Sequence, residues 1–128
     1  HVNHACDSNT LRTAYGFDIA IYNIPKDTEI TGEYGLFNIP YTVELNCNCV
    51  NCRKVLRPTD IDVHADRWDA FIVDTLKCYH NVAQPLYSFM DVETRKQLNR
   101  YFSGSSDYTS VRELKYIRPG TRKKLRVG

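Results

Sequence analysis

Apolar positions alternate early in the chain. Phe17, Ile19 and Ile21 share one face and Asp18 and Ala20 the other, which predicts a strand of about six residues. Tyr22 and Ile24 make the second face apolar as well, so the end of that strand is expected to be buried on both sides. Leu11 to Tyr15 reads as its hairpin partner across Gly16, and Glu29 to Thr31 as a further short strand. Gly32 and Gly35 bracket Glu33 and Tyr34, which predicts a tight, irregular segment there. After Pro58 the period changes. Trp68, Phe71, Ile72, Leu76 and Tyr79 recur at helical spacing, so a helix is expected over 65–80, with Trp68 and Tyr79 as core residues. Asp91 reads as the N-cap of a second helix, with Leu98, Tyr101 and Phe102 inward and Gly104 as its stop. Tyr108, Val111, Leu114 and Ile117 predict a third, ended by Pro119. The class is therefore α+β, with strands in residues 1–56 and helices in 57–118.

Composition adds constraints. At 128 residues, 42% hydrophobic and 25% charged, the chain suits one domain with a modest core. Its longest apolar runs are only a few residues, which excludes a membrane-spanning helix, and no signal peptide is visible. An intracellular place is expected, the nucleus before the cytoplasm. A net charge of +2 does not argue for nucleic acid by itself. The basic tail over 119–128, with Arg118 just before it and Arg122, Lys123, Lys124 and Arg126 within it, is the one feature suited to phosphate contact or a nuclear address. The sequence starts at His1 rather than Met, so it is expected to be part of a longer or processed chain.

The sharpest local pattern is Cys47-x-Cys49-x-x-Cys52. Thiolates this close pair poorly with one another but can turn around one ion, and Asn46, Asn48 and Asn51 tolerate the necessary turns. A structural zinc site wants four ligands, and the fourth must come from elsewhere. Cys6, Cys78 and the four histidines are candidates, although Cys78 falls in an apolar helical stretch that suits a buried core cysteine. Free or disulfide-bonded thiols are the alternative.

Two further segments carry a family resemblance. Asn3-His4-Ala5-Cys6-Asp7-Ser8-Asn9 resembles the Asn-His-x-Cys-x-Pro-Asn motif of SET-domain lysine methyltransferases. Ile19 through Gly35, ending Thr31-Gly32-Glu33-Tyr34-Gly35, resembles that family's buried strand, Gly-Glu-Glu-Leu-Thr turn and Asp-Tyr-Gly ending. The cysteine triplet followed by Arg53 then resembles a post-SET element with SMYD-like spacing. The resemblance covers residues 1–56. It divides the chain into the C-terminal part of a SET domain (1–45), a post-SET zinc motif (46–56), a helical region (57–118) and the tail (119–128).

The resemblance implies a SET-type β fold with a knot-like crossing, and S-adenosylmethionine-dependent methyl transfer to a lysine ε-amine of a histone or another protein. It makes Tyr34 the catalytic tyrosine and a cofactor contact, and Asn3 and His4 the contacts to the cofactor's amino-acid moiety and adenine. It selects Cys6 as the fourth zinc ligand beside Cys47, Cys49 and Cys52. An aromatic residue at the position of Gly32 restricts the lysine pocket in related enzymes, so glycine there implies room for more than one methylation. Ser8 replaces the usual proline, which is expected to loosen its turn. Asp27 replaces a glycine, and Glu33 an aspartate. A Gly-x-Gly cofactor loop and several strands of the family have no counterpart in 1–128. The missing half is expected from upstream sequence or a second chain, and the isolated segment is expected to bind S-adenosylmethionine poorly. A non-catalytic zinc-binding interaction module and a nucleic-acid-binding zinc protein are the rival readings.

Overall fold

The structure is a computed structural model that describes residues 2–115. It combines helices with small sheets. Strands β1 (Asn3–His4) and β4 (Thr31–Gly32) pair in parallel, and β2 (Thr10–Arg12) and β3 (Asp18–Ala20) pair antiparallel. Strands β5 (Val43–Glu44) and β6 (Val55–Leu56) also pair antiparallel.

The expected hairpin across Gly16 is present, with Leu11 opposite Ile19 and Gly16 at φ 93, a conformation glycine adopts at no steric cost. Its second strand is shorter than expected. The strand ends at Ala20, and Tyr22 is 51% exposed instead of buried. The chain turns away over Pro25–Thr28, where the Thr28 N–H donates to Pro25 O and Asp27 sits at φ 66. Asp27, where the family pattern has glycine, thus occupies a left-handed position that aspartate tolerates better than most residues.

Helix α1 (Asp60–Leu76) starts five residues before its expected boundary. Ile61 and Ala65 continue the buried stripe of Trp68, Ile72 and Leu76, hidden in the sequence among Asp60, Asp62 and Asp66. Acidic residues in a first turn complement the helix dipole. The chain then tightens into a 3-10 turn at Tyr79–Asn81, where Tyr79 is half-buried. Cys78, expected in the core, is exposed. Helix α2 (Val92–Phe102) is capped by Asp91, whose carboxylate accepts the Thr94 N–H at 2.7 Å, and ends at Gly104 with φ 79.

The third helix does not form among the described residues; Val111–Leu114 is a 3-10 turn. Asp69 of α1 accepts the Tyr108 hydroxyl (2.7 Å), the Ser110 hydroxyl (2.6 Å) and the Val111 N–H (2.9 Å). These bonds hold 108–111 out of helical register. Ile117, Pro119 and the basic tail lie outside the described residues.

Two apolar clusters form among the described residues. The main core joins Leu11, Tyr15 and Leu36 to the α1 stripe, Leu98 and Val111. The smaller one joins Cys6, Leu45 and Leu56, with Tyr34 and the other three clustered cysteines against it. No described helix is long and apolar enough to cross a membrane.

Candidate metal centre and the Tyr34 corner

Strands β5 and β6 close a hairpin whose tip carries Cys47, Cys49 and Cys52. Cys6 reaches the tip from the turn after β1. The four sulfurs all lie within 4.8 Å of one another, with Cys47 Sγ 3.1 Å from Cys49 and Cys52 and 3.6 Å from Cys6. Tetrahedral zinc with bonds of about 2.3 Å needs sulfurs about 3.8 Å apart, so the set fits a zinc-like ion after small adjustments. A set of four cysteine sulfurs also suits zinc's preference. Among the described residues Cys6 completes the group and Cys78 is not part of it.

Two backbone amides face the sulfurs. The Arg53 N–H donates to Cys6 Sγ at 3.3 Å and the Lys54 N–H to Cys52 Sγ at 3.4 Å. Burial pushes the Cys6 thiol up to about 12 and raises that of Cys49. At Cys47 burial acts the same way but is outweighed by hydrogen bonding with Cys52, Cys49 and Cys6, which brings it down to about 6. An ion binding here must displace the remaining thiol protons, so uptake releases protons and strengthens as pH rises.

His4 joins this centre to Tyr34. Its Nδ1 accepts the Tyr34 backbone N–H at 3.0 Å, which leaves Nε2 to carry the ring proton, and Nε2 lies 3.3 Å from Cys6 Sγ. Glu33 Oε2 is 3.6 Å from Nδ1, a pair that would attract only if the ring were charged. Burial lowers the His4 pKa below 6.5 against the pull of Glu33, so the neutral form prevails.

Glu33 and Arg53 form a second link that sequence reasoning missed. Glu33 is almost fully buried and binds the Arg53 guanidinium through two bonds of 2.8 Å, while also accepting the Gly35 N–H at 2.9 Å. The glutamate that departs from the family's aspartate thus has the reach to engage the residue after the cysteine triplet. Arg53 Nε lies 3.4 Å from Asp60 Oδ2 without forming a hydrogen bond. Burial works against the charge of Arg53, but its bonds to Glu33 raise its pKa overall. Trp68 packs close by, since a Cβ at Gly35 would lie 2.7 Å from its ring. Helix α1 therefore meets the Tyr34 segment through Trp68 and Arg53 through Asp60.

Tyr34 is half-buried between His4 and Phe37, with ring centroids 5.1 Å from each, and its hydroxyl donates to Val2 O at 2.8 Å. Asn3 is exposed, and its amide donates to Glu29 at 2.7 Å. Both His4 ring nitrogens are engaged inside the protein and one ring face packs on Tyr34, so the imidazole itself is not presented to solvent. Gly32 does not open a space: a Cβ there would sit 3.2 Å from the Phe37 ring, which fills the volume expected to be free. Ser8 is buried and its turn is tied, not loosened, by its hydroxyl on Thr10 O at 2.7 Å and its N–H on Ala5 O.

A cavity of about 200 Å³ lies beside Tyr34, between Ile39, Leu56, Arg57 and Lys115. Ligand pockets usually begin at ~300 Å³, so this cavity is below the size that commonly holds a cofactor. A larger cavity of about 530 Å³ lies away from the metal loop, between Phe17, Ile19, Tyr79, Leu86 and Phe89.

No protein family, curated protein or solved structure matches the chain.

Proposed function

We propose that the chain is the C-terminal part of a SET-type protein lysine methyltransferase, with its four-cysteine group holding a structural zinc ion that braces the corner presenting Tyr34. The observation that carries this reading is a convergence. The Asn3-His4-x-Cys6 segment pairs in parallel with Thr31–Gly32, touches Tyr34 through His4, and delivers Cys6 to the Cys47–Cys52 loop. A free-standing zinc knuckle has no need of that arrangement.

In this reading S-adenosylmethionine supplies an electrophilic methyl on a sulfonium. The chain's own contribution is geometric and electrostatic. The Tyr34 proton is committed to Val2 O, so the phenolic oxygen offers its lone pairs to an incoming lysine amine. The His4 and Glu33 bonds fix the backbone on either side of that ring, as alignment of a neutral amine requires. Asn3 stands on the exposed side of the same strand, where the resemblance puts the donor's amino-acid moiety. The rest of the donor pocket comes from upstream sequence or a second chain. The partner is a histone or other protein lysine, and the setting is intracellular, with the nucleus favoured.

The test is transfer of labelled methyl groups to a protein mixture by the full parent enzyme, comparing the natural chain with Tyr34→Phe. Loss of transfer in the variant with zinc retained is expected. If both chains are inert while zinc stays bound, the methyltransferase reading fails and a zinc-binding interaction module takes its place.

A further inference from the structure

The four sulfurs and Tyr34 are joined by one side chain. The His4 ring is nine-tenths or more buried, with 5% of its side chain exposed. Both its nitrogens have protein partners, and the two partners belong to different parts of the corner. The acceptor role of Nδ1 toward the Tyr34 N–H forces the tautomer in which Nε2 is the donor. The nearest atom for that donor is the Cys6 sulfur. A thiolate on a divalent ion is a strong acceptor, and donors around such sulfurs tune the affinity of the site.

We propose that His4 is a positioning residue that transmits the state of the metal centre to Tyr34. With an ion on Cys6, the Nε2–H bond to the sulfur fixes the ring, and the fixed ring holds the Tyr34 backbone through Nδ1. The Glu33–Arg53 pair joins the same two segments, yet among the described residues it is His4 whose side chain bonds both a ligand sulfur and the Tyr34 amide. The inference rests on the zinc part of the reading above and is independent of methyl transfer.

Two substitutions divide the ring's functions. In His4→Gln the side-chain amide nitrogen reaches the place of Nε2, which keeps a donor for Cys6 and removes the acceptor for Tyr34. In His4→Asn the amide oxygen takes the place of Nδ1, which keeps the acceptor and removes the sulfur donor. Zinc affinity of the 128-residue chain is measured by competition with a chromophoric chelator. Exchange of the Tyr34 amide hydrogen is measured with and without zinc.

In the natural chain zinc is expected to slow Tyr34 exchange. His4→Asn should weaken zinc binding by about 10- to 100-fold, the usual range for losing such a partner. His4→Gln should bind zinc within about threefold of the natural chain but lose the zinc-dependent slowing at Tyr34. Unchanged zinc affinity in His4→Asn, or a full zinc response at Tyr34 in His4→Gln, would overturn the proposal. If His4→Asn does not fold, His4→Gln decides alone by the same response. A natural chain that binds no zinc sinks both this inference and the metal centre, whereas inert methyl transfer with intact zinc coupling leaves it standing.

Discussion

Replacing Arg53 with methionine would remove the guanidinium while keeping an unbranched, apolar stem beside Trp68. Glu33 would then be left almost fully buried, having lost both of its 2.8 Å bonds and keeping only the Gly35 N–H. His4 offers no relief, because its Nδ1 is already an acceptor. Breaking a buried ion pair from one side typically costs about 3–5 kcal/mol, more than the net worth of the pair, because an uncompensated charge stays behind. The 17% exposure of the Arg53 side chain places the expected loss toward the lower end, about 3 kcal/mol. Urea unfolding at saturating zinc, followed through the fluorescence of Trp68, the sole tryptophan, measures it. A double-mutant cycle with Glu33→Gln should return at least about 2 kcal/mol of coupling, since the neutral amide no longer demands a cation. A single-variant loss under about 1 kcal/mol, or coupling near zero, would refute the account of Glu33 as a buried anion held by Arg53.

Other outcomes follow from the same geometry. Gly35→Ala should cost about 1–3 kcal/mol, because its Cβ meets the Trp68 ring at 2.7 Å, and a Trp68→Phe background should recover part of that loss; equal losses in both backgrounds would locate the strain elsewhere. Asp69→Ala should cost about 3 kcal/mol by orphaning the donors of Tyr108, Ser110 and Val111, and amide exchange should quicken first over 108–114. Burial, with the Arg53 charge adding to it, lowers the His64 pKa below 6.5. The unfolded chain therefore takes up the proton more readily, and stability falls as pH drops below about 6.5; an NMR titration midpoint of 6.5 or above for His64 would contradict this. Asp91→Ala removes the cap on Thr94 and should lower the midpoint of thermal unfolding.

Local signals carry much of the fold. The hairpin is legible because Leu11 and Ile19 alternate around a glycine that permits the turn, and α2 because Asp91 and Gly104 mark its ends. Helix α1 is legible in its centre but not at its start, where the buried positions Ile61 and Ala65 are diluted by acidic neighbours. The third helix misleads because a helical period in apolar residues does not reveal that Asp69, about forty positions away in sequence, takes the donors of 108–111. Strands β5 and β6 are two residues each and have no period to detect. At the site, cysteine spacing identifies three sulfurs and the motif resemblance selects the fourth. The Glu33–Arg53 pair is invisible in sequence because each residue alone reads as surface charge, and only folding buries one against the other. Gly32 misleads for a related reason: a missing side chain says nothing about which neighbour fills the space.

Cys6 and Cys47 lie 41 positions apart, and the hairpin, β4 and the whole Tyr34 segment lie between them. An ion gripping both would close that stretch into a loop even in the unfolded chain. By chain-entropy reasoning, a permanent cross-link of this span is worth roughly 4 kcal/mol. Unlike a disulfide, this clasp would open to chelators or acid without any redox chemistry. Metal supply would then govern how long the segment bearing Tyr34 survives in a cell, because the unclasped loop is the stretch a protease would meet most often.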